Sequence, residues 1–547
     1  MKLLISSLLL VSALIGFTQP KNKYWIQLAD KSNTPFHISS PEEFLSKKAV
    51  DRRINQLIPV DFKDLPIDPA YIEQIASFSS LTIRRTSKWL NSISVEISDM
   101  KVLDSIIGLP FVYKIDRVRE MAIDPRIELP LKSTGHTNYH DEHYGMAFRQ
   151  IEMLSGHLLH NIGFTGAGIT IAVLDAGFDK TNEIDVFDAM REEDRLLGTR
   201  DFVDGDNYVY HSSQHGTAVL SCMGAKLPGK MVGTAPDANY ILIRTEDVSS
   251  ESLVEEDNWV AGAEYADSMG ADILNTSLGY TQFDDSTTDH TYADMDGNTT
   301  RISIAADIAA SKGILVVTSA GNMGSQPWHY ISAPADADSS LAVAAVDSFL
   351  IRAPFSSYGP SSDGDLKPNV AAMGYKSVCT FSSGVVGQAN GTSFSSPILA
   401  GMAACLWQSL RGNTNIELKE LIERNGHQYS NPDFSLGYGV PNFYTAYLEG
   451  NLFPLSTSDE IISVFPSHFN DKLTVHFHSQ EPGNWKLNVI NSLGQKLYQK
   501  ELYVAAGEYV QTVFTDELFQ LNMGTYLLEF FKDDLKIAVK KVFKIKT

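Results

Sequence analysis

Four residues have side chains of the types that perform acyl transfer, and each stands beside a distinct local sequence pattern. Asp175 directly follows an apolar run, His215 opens an apolar helical pattern, Ser393 follows a Gly-Thr pair, and Asn322 ends another apolar run. A serine hydroxyl becomes a nucleophile when a histidine removes its proton, and a carboxylate can hold that histidine in the required tautomer. An asparagine amide can stabilise negative charge developing on a carbonyl oxygen. Together the four residue types suit the hydrolysis of an acyl bond.

Each of these residues also has an ordinary structural interpretation. A serine before a helix is usually a cap, a loop asparagine is usually a turn former, and the chain has 14 histidines. Position favours chemistry for His215, because the dipole at a helix N-terminus disfavours imidazolium and keeps the ring neutral as a base. Gly391 permits a tight turn before Ser393, so that the Ser393 N–H can face an anion.

A dinucleotide site is the competing interpretation of the segment around Asp175. Gly163, Gly166 and Gly168 cluster there, but they precede the apolar run that ends before Asp175. A loop that cradles phosphates must follow its strand and open a helix. The order along the chain therefore excludes this site.

Four motifs in one order resemble those of the subtilase family of serine peptidases. The order Asp, His, Ser is that of subtilisin and not of chymotrypsin, and no Gly-x-Ser-x-Gly elbow surrounds Ser393. The resemblance covers the middle of the chain and implies a serine endopeptidase that forms an acyl-enzyme. The motifs are Leu174-Asp175-Ala176-Gly177, His215-Gly216-Thr217, Ser319-Ala320-Gly321-Asn322 and Gly391-Thr392-Ser393.

The resemblance implies a role for each residue of the site. Ser393 attacks the peptide carbonyl, His215 takes and returns the proton, and Asp175 orients the imidazole. Asn322 and the Ser393 N–H hold the oxyanion. Ala176 stands where the family usually has Thr or Ser, so we expect a different hydrogen-bond environment around Asp175.

Five further residues are implied to contact a polypeptide substrate. Ser277, Leu278 and Gly279 resemble the edge strand that pairs with extended substrate, a form of β-augmentation. Ala320 and Gly321 would line the first specificity pocket, and their small size leaves room for a large side chain.

The resemblance implies no required cofactor, and a structural calcium ion is one interpretation of an acidic loop. The loop Tyr280–Thr300 could bind calcium, favour basic substrates, or simply be a solvated acidic surface. Its aspartates are Asp284, Asp285, Asp289, Asp294 and Asp296.

A catalytically inactive, protease-shaped binding or adhesion protein is the alternative function. The loss of one triad member would support that alternative. Asp175, His215 and Ser393 are all present.

The elements that must position these residues follow from the hydrophobic pattern. From 144 to 450, short apolar runs alternate with helical segments, and this alternation predicts a parallel sheet with helices on both faces. The fold class is therefore α/β, with a subtilisin-like domain over 144–450. The apolar runs include 169–174, 240–244, 272–276, 314–318 and 341–346, and the helical segments include 258–269 and 301–312.

The segments before this domain have three different patterns. Residues 1–19 predict a cleaved signal peptide, with a buried helix or a membrane anchor as alternatives. Residues 20–120 alternate strands and helices and resemble a small α+β pro-domain; a permanent accessory domain is the other interpretation. Residues 121–143 are polar and aperiodic, which predicts a linker that proteases cut.

After a short linker at 451–458, residues 459–547 predict a small β-sandwich. The segment 464–473, Asn491-Ser492-Leu493-Gly494-Gln495 and a lysine-rich end resemble a type IX secretion sorting domain. A carbohydrate- or protein-binding sandwich is the alternative. The resemblance implies the secretion machinery as a partner and a secreted or cell-surface location.

Charge and cysteine content exclude several other classes. Lys and Arg total 44 against 66 for Asp and Glu, a net charge of −22. This surface repels phosphate backbones and anionic lipid, so we expect no nucleic-acid partner. No later stretch is apolar enough to predict a membrane span. The three cysteines have neither disulfide-framework nor zinc-site spacing.

Overall fold

The computed structural model describes residues 22–119, 141–452, 460–465, 468–469, 473–479, 481–491, 493–505, 508–514 and 521–544. The predicted signal peptide and most of both predicted linkers lie outside the described residues. The chain divides into two compact units, one ending at Ala446 and the other beginning at Tyr447.

The N-terminal region of the first unit is a small α+β structure. Its four strands form an antiparallel sheet in the order β2-β3-β1-β4. Alternating side chains on β1 place Tyr24 and Ile26 in a core with the helices, while Trp25 faces the other way. The elements are β1 (Asn22–Leu28), α1 (Lys47–Asn55), α2 (Pro69–Ala76), β2 (Leu81–Ser87), β3 (Ser92–Ile97), α3 (Val102–Ile107) and β4 (Val112–Arg119).

The rest of the first unit is built on a seven-stranded sheet. All its pairings are parallel, in the order β13-β12-β11-β10-β5-β9-β6. The strands, including two-residue strands and a hairpin outside this sheet, are β5 (Thr170–Asp175), β6 (Leu196–Asp201), β7 (Lys226–Leu227), β8 (Met231–Val232), β9 (Asn239–Arg244), β10 (Ile273–Thr276), β11 (Leu315–Ser319), β12 (Leu341–Val346), β13 (Val370–Met373), β14 (Ser377–Thr380) and β15 (Val386–Ala389).

Helices cover both faces of this sheet, which confirms the predicted fold class. The central strands are therefore buried on both faces, and this is why they are continuous apolar runs without alternation. The helices are α4 (Phe148–Glu152), α5 (Gly156–Asn161), α6 (Asp188–Glu192), α7 (His215–Gly224), α8 (Val254–Met269), α9 (Arg301–Ser311), α10 (Thr392–Ser409), α11 (Asn415–Arg424) and α12 (Phe443–Leu452).

The core beneath α8 and α9 is an apolar cluster on one face of the sheet. Trp259 and Ala263 of α8 pack with Ala305 of α9 against Leu174 and Ile243. On the opposite face, α7 and α10 pack on each other, and α10 runs along β10 to β13. The strand β5 and the helices α7 and α10 therefore meet on one side of the sheet, at the C-terminal ends of its strands.

The N-terminal sheet packs directly against α8 of the peptidase region. The buried Glu264 carboxylate accepts hydrogen bonds from Ser87 Oγ at 2.6 Å and from the Lys88 and Trp89 N–H groups at 2.9 Å each. Ser94 Oγ donates to Asp257 at 2.7 Å. These two buried carboxylates of α8 are therefore hydrogen-bonded by the N-terminal region, as burial requires.

The second unit is strand-rich, as the sequence predicted. Two sheets, of three and five strands, share one core in which Phe477 packs on Trp485 with ring centroids 4.4 Å apart. The strands are β16 (Glu460–Phe465), β17 (His468–Phe469), β18 (Leu473–Ser479), β19 (Gly483–Asn491), β20 (Lys496–Val504), β21 (Glu508–Phe514), β22 (Gly524–Lys532) and β23 (Leu535–Lys544).

Candidate active site

Asp175 and His215 form a close pair at the C-terminal end of β5. Asp175 is the last residue of the strand, and His215 is the first residue of α7. His215 Nδ1 lies 2.9 Å from Asp175 Oδ1 and 3.1 Å from Oδ2. Because a carboxylate only accepts, Nδ1 carries the proton, which makes Nε2 the basic nitrogen of the ring. The Asp175 side chain is 1% exposed and that of His215 is 29% exposed, so the ring lies between the buried acid and the surface.

Two glycines allow these elements to approach each other. Gly177 has φ of +146°, and a Cβ there would lie 2.3 Å from the His211 carbonyl oxygen. A Cβ on Gly216 would lie 2.4 Å from the Gly177 carbonyl oxygen. Both contacts are shorter than van der Waals packing permits, so the motif glycines are required for the Asp175–His215 distance.

The hydrogen-bond environment of Asp175 is completed by backbone. The N–H of Ala176 donates to Asp175 Oδ1 at 2.7 Å. Ala176 has no side-chain hydroxyl, so it contacts the Asp175 carboxylate through its main-chain N–H.

Ser393 is the second residue of α10, so its N–H has no carbonyl partner four residues earlier in the helix. Pro397 is the sixth residue of this helix, which begins at Thr392. Because proline has no N–H, the Ser393 carbonyl oxygen lacks its usual helical donor. Ser277 Oγ donates to that oxygen at 2.9 Å, and Ser393 Oγ donates to the Ser277 carbonyl oxygen at 3.1 Å.

Asn322 is held by the residue before Ser393. Its Oδ1 accepts from the Thr392 N–H at 2.9 Å and from Thr392 Oγ1 at 3.0 Å. The Thr392 hydroxyl in turn accepts from the Gly321 N–H at 3.2 Å. With the amide oxygen fixed by two donors, the Asn322 NH₂ group is directed away from Thr392.

One cavity of about 320 Å³ brings several of the predicted residues together. Its walls include Ser393 and Asn322, and also Ser277, Leu278, Gly279 and Gly321. The imidazole of His215 lies next to the start of α10, with its ring centroid 6.0 Å from that of Phe394.

Ala320 differs from the prediction, because it is not among the described residues that line this cavity. It is fully buried and packs with Ile331, Ala335 and Ala342 behind the wall. The side chain of the middle residue in Ser319-Ala320-Gly321 points into the core, since alternate residues of an extended segment face opposite ways.

The aspartate carboxylates of the acidic loop Tyr280–Thr300 do not gather around one point. Asp284, Asp285 and Asp289 each accept hydrogen bonds from nearby backbone N–H groups, and Asp294 and Asp296 do the same. Among the residues described, the acidic groups that could hold a metal ion lie elsewhere, at Asp201, Asp204 and His211 and at Asp338, Asp363 and Asp365. Arg244 already contacts Asp201 and Asp204 at 2.8 and 2.7 Å.

Several positioning residues had no sequence signal of their own. Ser396 Oγ donates to Asn275 Oδ1 at 3.0 Å, and Asn275 Nδ2 donates to Ser277 Oγ at 3.2 Å. This chain of hydrogen bonds joins α10 to the end of β10. Both residues lie within or beside recognised motifs, but only their contact across the fold reveals the role.

A family model described as "Subtilase family" matches residues 166–439, half of the chain. The chain belongs to the subtilase family. This matched segment contains Asp175, His215, Asn322 and Ser393 and all seven strands of the parallel sheet. As a subtilase the chain is a member of a family of serine peptidases, as its motifs predicted.

Curated relatives agree with this assignment. "Thermophilic serine proteinase" of Bacillus sp. (strain AK1) is 31% identical over 51% of this chain and 62% of its own length. "Subtilisin NAT" of Bacillus subtilis subsp. natto is 29% identical over 54% of this chain and 70% of its own. The chain thus spans less than two thirds of the first relative. A solved structure, "Crystal structure of MycP1 with the N-terminal propeptide removed", is 23% identical over 55% of this chain and 96% of that one, with a TM-score of 0.44.

Both flanking regions of this subtilase match models of their own. Residues 23–133 match "Peptidase S8 propeptide domain, Bacteroidota", and residues 463–545 match "Secretion system C-terminal sorting domain". The predictions of a pro-domain and of a sorting domain are confirmed, and the sorting domain implies secretion or surface display. In the part of the chain that the structure describes, no helix is both long and apolar enough to cross a bilayer.

Proposed function

We propose that this subtilase is a secreted serine endopeptidase in which Asp175, His215 and Ser393 form the catalytic triad. The observation that carries the proposal is the Asp175 carboxylate at 2.9 Å from His215 Nδ1, with the imidazole beside the start of the Ser393 helix. That arrangement leaves Nε2 as the base on the side of the ring away from the acid.

In the proposed reaction, His215 Nε2 takes the proton of Ser393 Oγ as Oγ adds to the substrate carbonyl carbon. Asp175 stabilises the imidazolium that forms but stays ionised. The C–N bond then breaks, His215 gives the proton to the leaving amine, and an acyl-enzyme on Ser393 remains. A water molecule, deprotonated by His215, hydrolyses this ester and restores the serine.

The oxyanion is stabilised by two donors, the Ser393 N–H and the Asn322 NH₂ group. Both residues line the 320 Å³ cavity, and the two hydrogen bonds from Thr392 orient the Asn322 amide before substrate arrives. Donors that are already oriented need no reorganisation as negative charge develops.

Substrate is proposed to lie extended along 277–279 and to fill the cavity with one side chain. Ser277, Leu278 and Gly279 support this, since they form one wall next to Ser393. The propeptide and sorting matches support synthesis as a precursor that is exported through its C-terminal region. No step of this mechanism uses a metal ion.

The first test is Ser393→Ala in the purified, folded protein. We expect turnover to fall by roughly 10⁶, because subtilisin loses about 2 × 10⁶ when its nucleophilic serine is removed. Ser382→Ala, at a serine outside the triad, is the control and should retain activity. Peptide hydrolysis by the Ser393 variant at a rate comparable to the parent would refute the triad assignment.

A further inference from the structure

We propose that Glu251 makes the substrate cavity selective for a peptide that places a lysine or arginine side chain in it. This inference rests on the proposed peptidase function and names the substrate class of the same site. Its basis is the composition of the cavity wall.

The described wall of the cavity beside Ser393 carries a negative charge and no positive charge. Its described lining residues are serines, glycines, threonine, leucine, methionine, asparagine and glutamine, together with Glu251. Glu251 is thus the single lining residue with a formal charge among those described. A side chain that enters beyond Ser393 and Asn322 meets a carboxylate and no cation in this wall.

The loop that carries Glu251 is hydrogen-bonded to the acidic loop at Asp284. The Glu251 N–H donates to Asp284 Oδ2 at 3.0 Å, and the Asp284 N–H donates to the Glu251 carbonyl oxygen at 2.9 Å. Two reciprocal hydrogen bonds fix the Glu251 backbone between β9 and α8. A fixed backbone limits the freedom of its carboxylate, which lowers the entropic cost of binding a cation.

Two more carboxyl groups stand behind Glu251. Glu246 is hydrogen-bonded by the Tyr280 hydroxyl, and Glu255 accepts from the Ser252 and Asp247 N–H groups at 2.8 and 2.9 Å. Burial, reinforced by the charge of Glu251, raises the pKa of Glu246 to about 8. Burial and the charges of Glu246 and Glu251 likewise raise the pKa of Glu255.

Mutual repulsion of carboxylates makes this end of the cavity favourable for a positive charge. A guanidinium or ammonium group placed at Glu251 pairs with that carboxylate and favours ionisation of Glu246 and Glu255, whereas an acidic side chain would add another repulsion. A neutral side chain fits the same space but leaves the repulsion unchanged. The cavity wall therefore discriminates between substrate side chains by their charge more than by their size.

The direct test is a set of fluorogenic peptides cleaved by the mature enzyme. Each position from four residues before the scissile bond to two after it is varied among Lys, Arg, Leu and Asp. At one of these positions we expect Lys or Arg to exceed Leu by roughly 10- to 100-fold in kcat/KM, the range for a charged hydrogen bond. Asp at that position should be the poorest. Equal rates for Lys, Leu and Asp at every position would overturn the inference.

Variants identify the group responsible. Glu251→Gln should bring the Lys-to-Leu ratio of kcat/KM close to one. Glu420→Gln removes the same charge from an exposed site on α11, outside the cavity, and should leave the ratio unchanged. A preserved ratio in Glu251→Gln would overturn the inference.

Two measurements keep the result interpretable. The exposed cavity residue Gln282 offers a second variant, Gln282→Arg, which should lower the Lys-to-Leu ratio without removing any hydrogen bond of Glu251. Titration with a serine-directed phosphonate counts competent active sites in each variant. Failure to cleave any peptide and to react with the phosphonate would refute the proposed function itself; cleavage without charge preference would refute only the role of Glu251.

Discussion

At the scale of single residues, Pro397 determines how the nucleophile is anchored. It removes the helical donor to the Ser393 carbonyl oxygen, and Ser277 Oγ supplies that hydrogen bond at 2.9 Å. Ser277 also belongs to the wall proposed to bind substrate. The residue proposed to bind substrate and the residue proposed to attack it are therefore joined by hydrogen bonds.

Asn322→Ala should slow turnover and leave substrate affinity nearly unchanged. The substrate carbonyl oxygen becomes negative only as Ser393 adds to it, so loss of this donor affects kcat. We expect a decrease of roughly 10²–10³ in kcat, with KM within a few-fold. Measuring kcat together with the thermal midpoint tests this. Asn298→Ala, at an exposed turn asparagine, is the control for a structural effect; an Asn322 variant with a lowered midpoint and unchanged kcat would show that Asn322 is only a turn former.

The residues proposed as catalytic could be located in the sequence because each lies in a short contiguous motif. Asp175 and His215 are each placed by local structure, at the end of a strand and the start of a helix. Glu251 could not be predicted, since it reaches the cavity only through a loop between β9 and α8. The assignment of Ala320 failed because motif position does not show which way a side chain points.

At the scale of elements, helix α1 of the pro-region is joined to α8 by buried ion pairs. Arg52 and Arg53 both contact the Asp267 carboxylate, the latter at 2.9 Å. Arg53 also contacts Asp64 at 2.6 Å, and Lys312 contacts Asp64 at 3.1 Å. All of these side chains are almost fully buried, so each charge depends on its partners.

Asp267 makes this contact sensitive to strong acid. Burial alone would raise its pKa, but the charges of Arg52, Lys88 and Arg53 outweigh burial and lower the pKa to about 2. A carboxyl whose pKa is lower in the folded state stabilises that state above its unfolded pKa, and the stabilisation is lost as pH falls through the folded value. The window is therefore from about pH 4 down to about pH 2.

Asp267→Asn in the Ser393→Ala precursor should destabilise the first unit by roughly 3–5 kcal/mol at neutral pH, because two buried arginines lose their counter-ion. The difference from the parent should shrink by about 2 kcal/mol between pH 5 and pH 2, as the parent carboxylate is protonated. Urea unfolding followed by tryptophan fluorescence measures both values. Asp51→Asn, at the exposed Lys47–Asp51 pair of the same helix, should stay within about 1 kcal/mol of the parent at every pH. A pH-independent effect of Asp267→Asn would contradict this account.

The order of strands and helices was more predictable than these contacts. Continuous apolar runs predicted β12 at 341–346 with correct bounds, and the other central strands within one residue. The Arg52–Asp267 pair joins residues 215 positions apart, and nothing local in either segment indicates the other. Local periodicity determines an element, whereas its partner depends on the assembled fold.

At the scale of the whole molecule, three matched regions follow one another along the chain, and we propose that the first and last are removed during maturation. The propeptide match covers 23–133, the peptidase match 166–439 and the sorting match 463–545. The first cut is expected in 121–143, between propeptide and peptidase.

The secreted protein should lack both the pro-region and the C-terminal region. Mass spectrometry of protein recovered from the medium tests this, and one continuous chain from Pro20 to Thr547 would contradict it. The Ser393→Ala precursor is the comparison. If it keeps its pro-region, the enzyme processes itself; if it loses the pro-region, another protease makes the cut.

Covalent labelling of the purified, processed enzyme with a serine-directed phosphonate tests the central claim most directly. We predict one adduct per molecule, located on Ser393 by peptide mapping, and strongly slowed labelling in His215→Ala. Processed, folded enzyme that hydrolyses peptides yet carries the adduct on another serine, or carries none, would contradict the assignment of Asp175, His215 and Ser393.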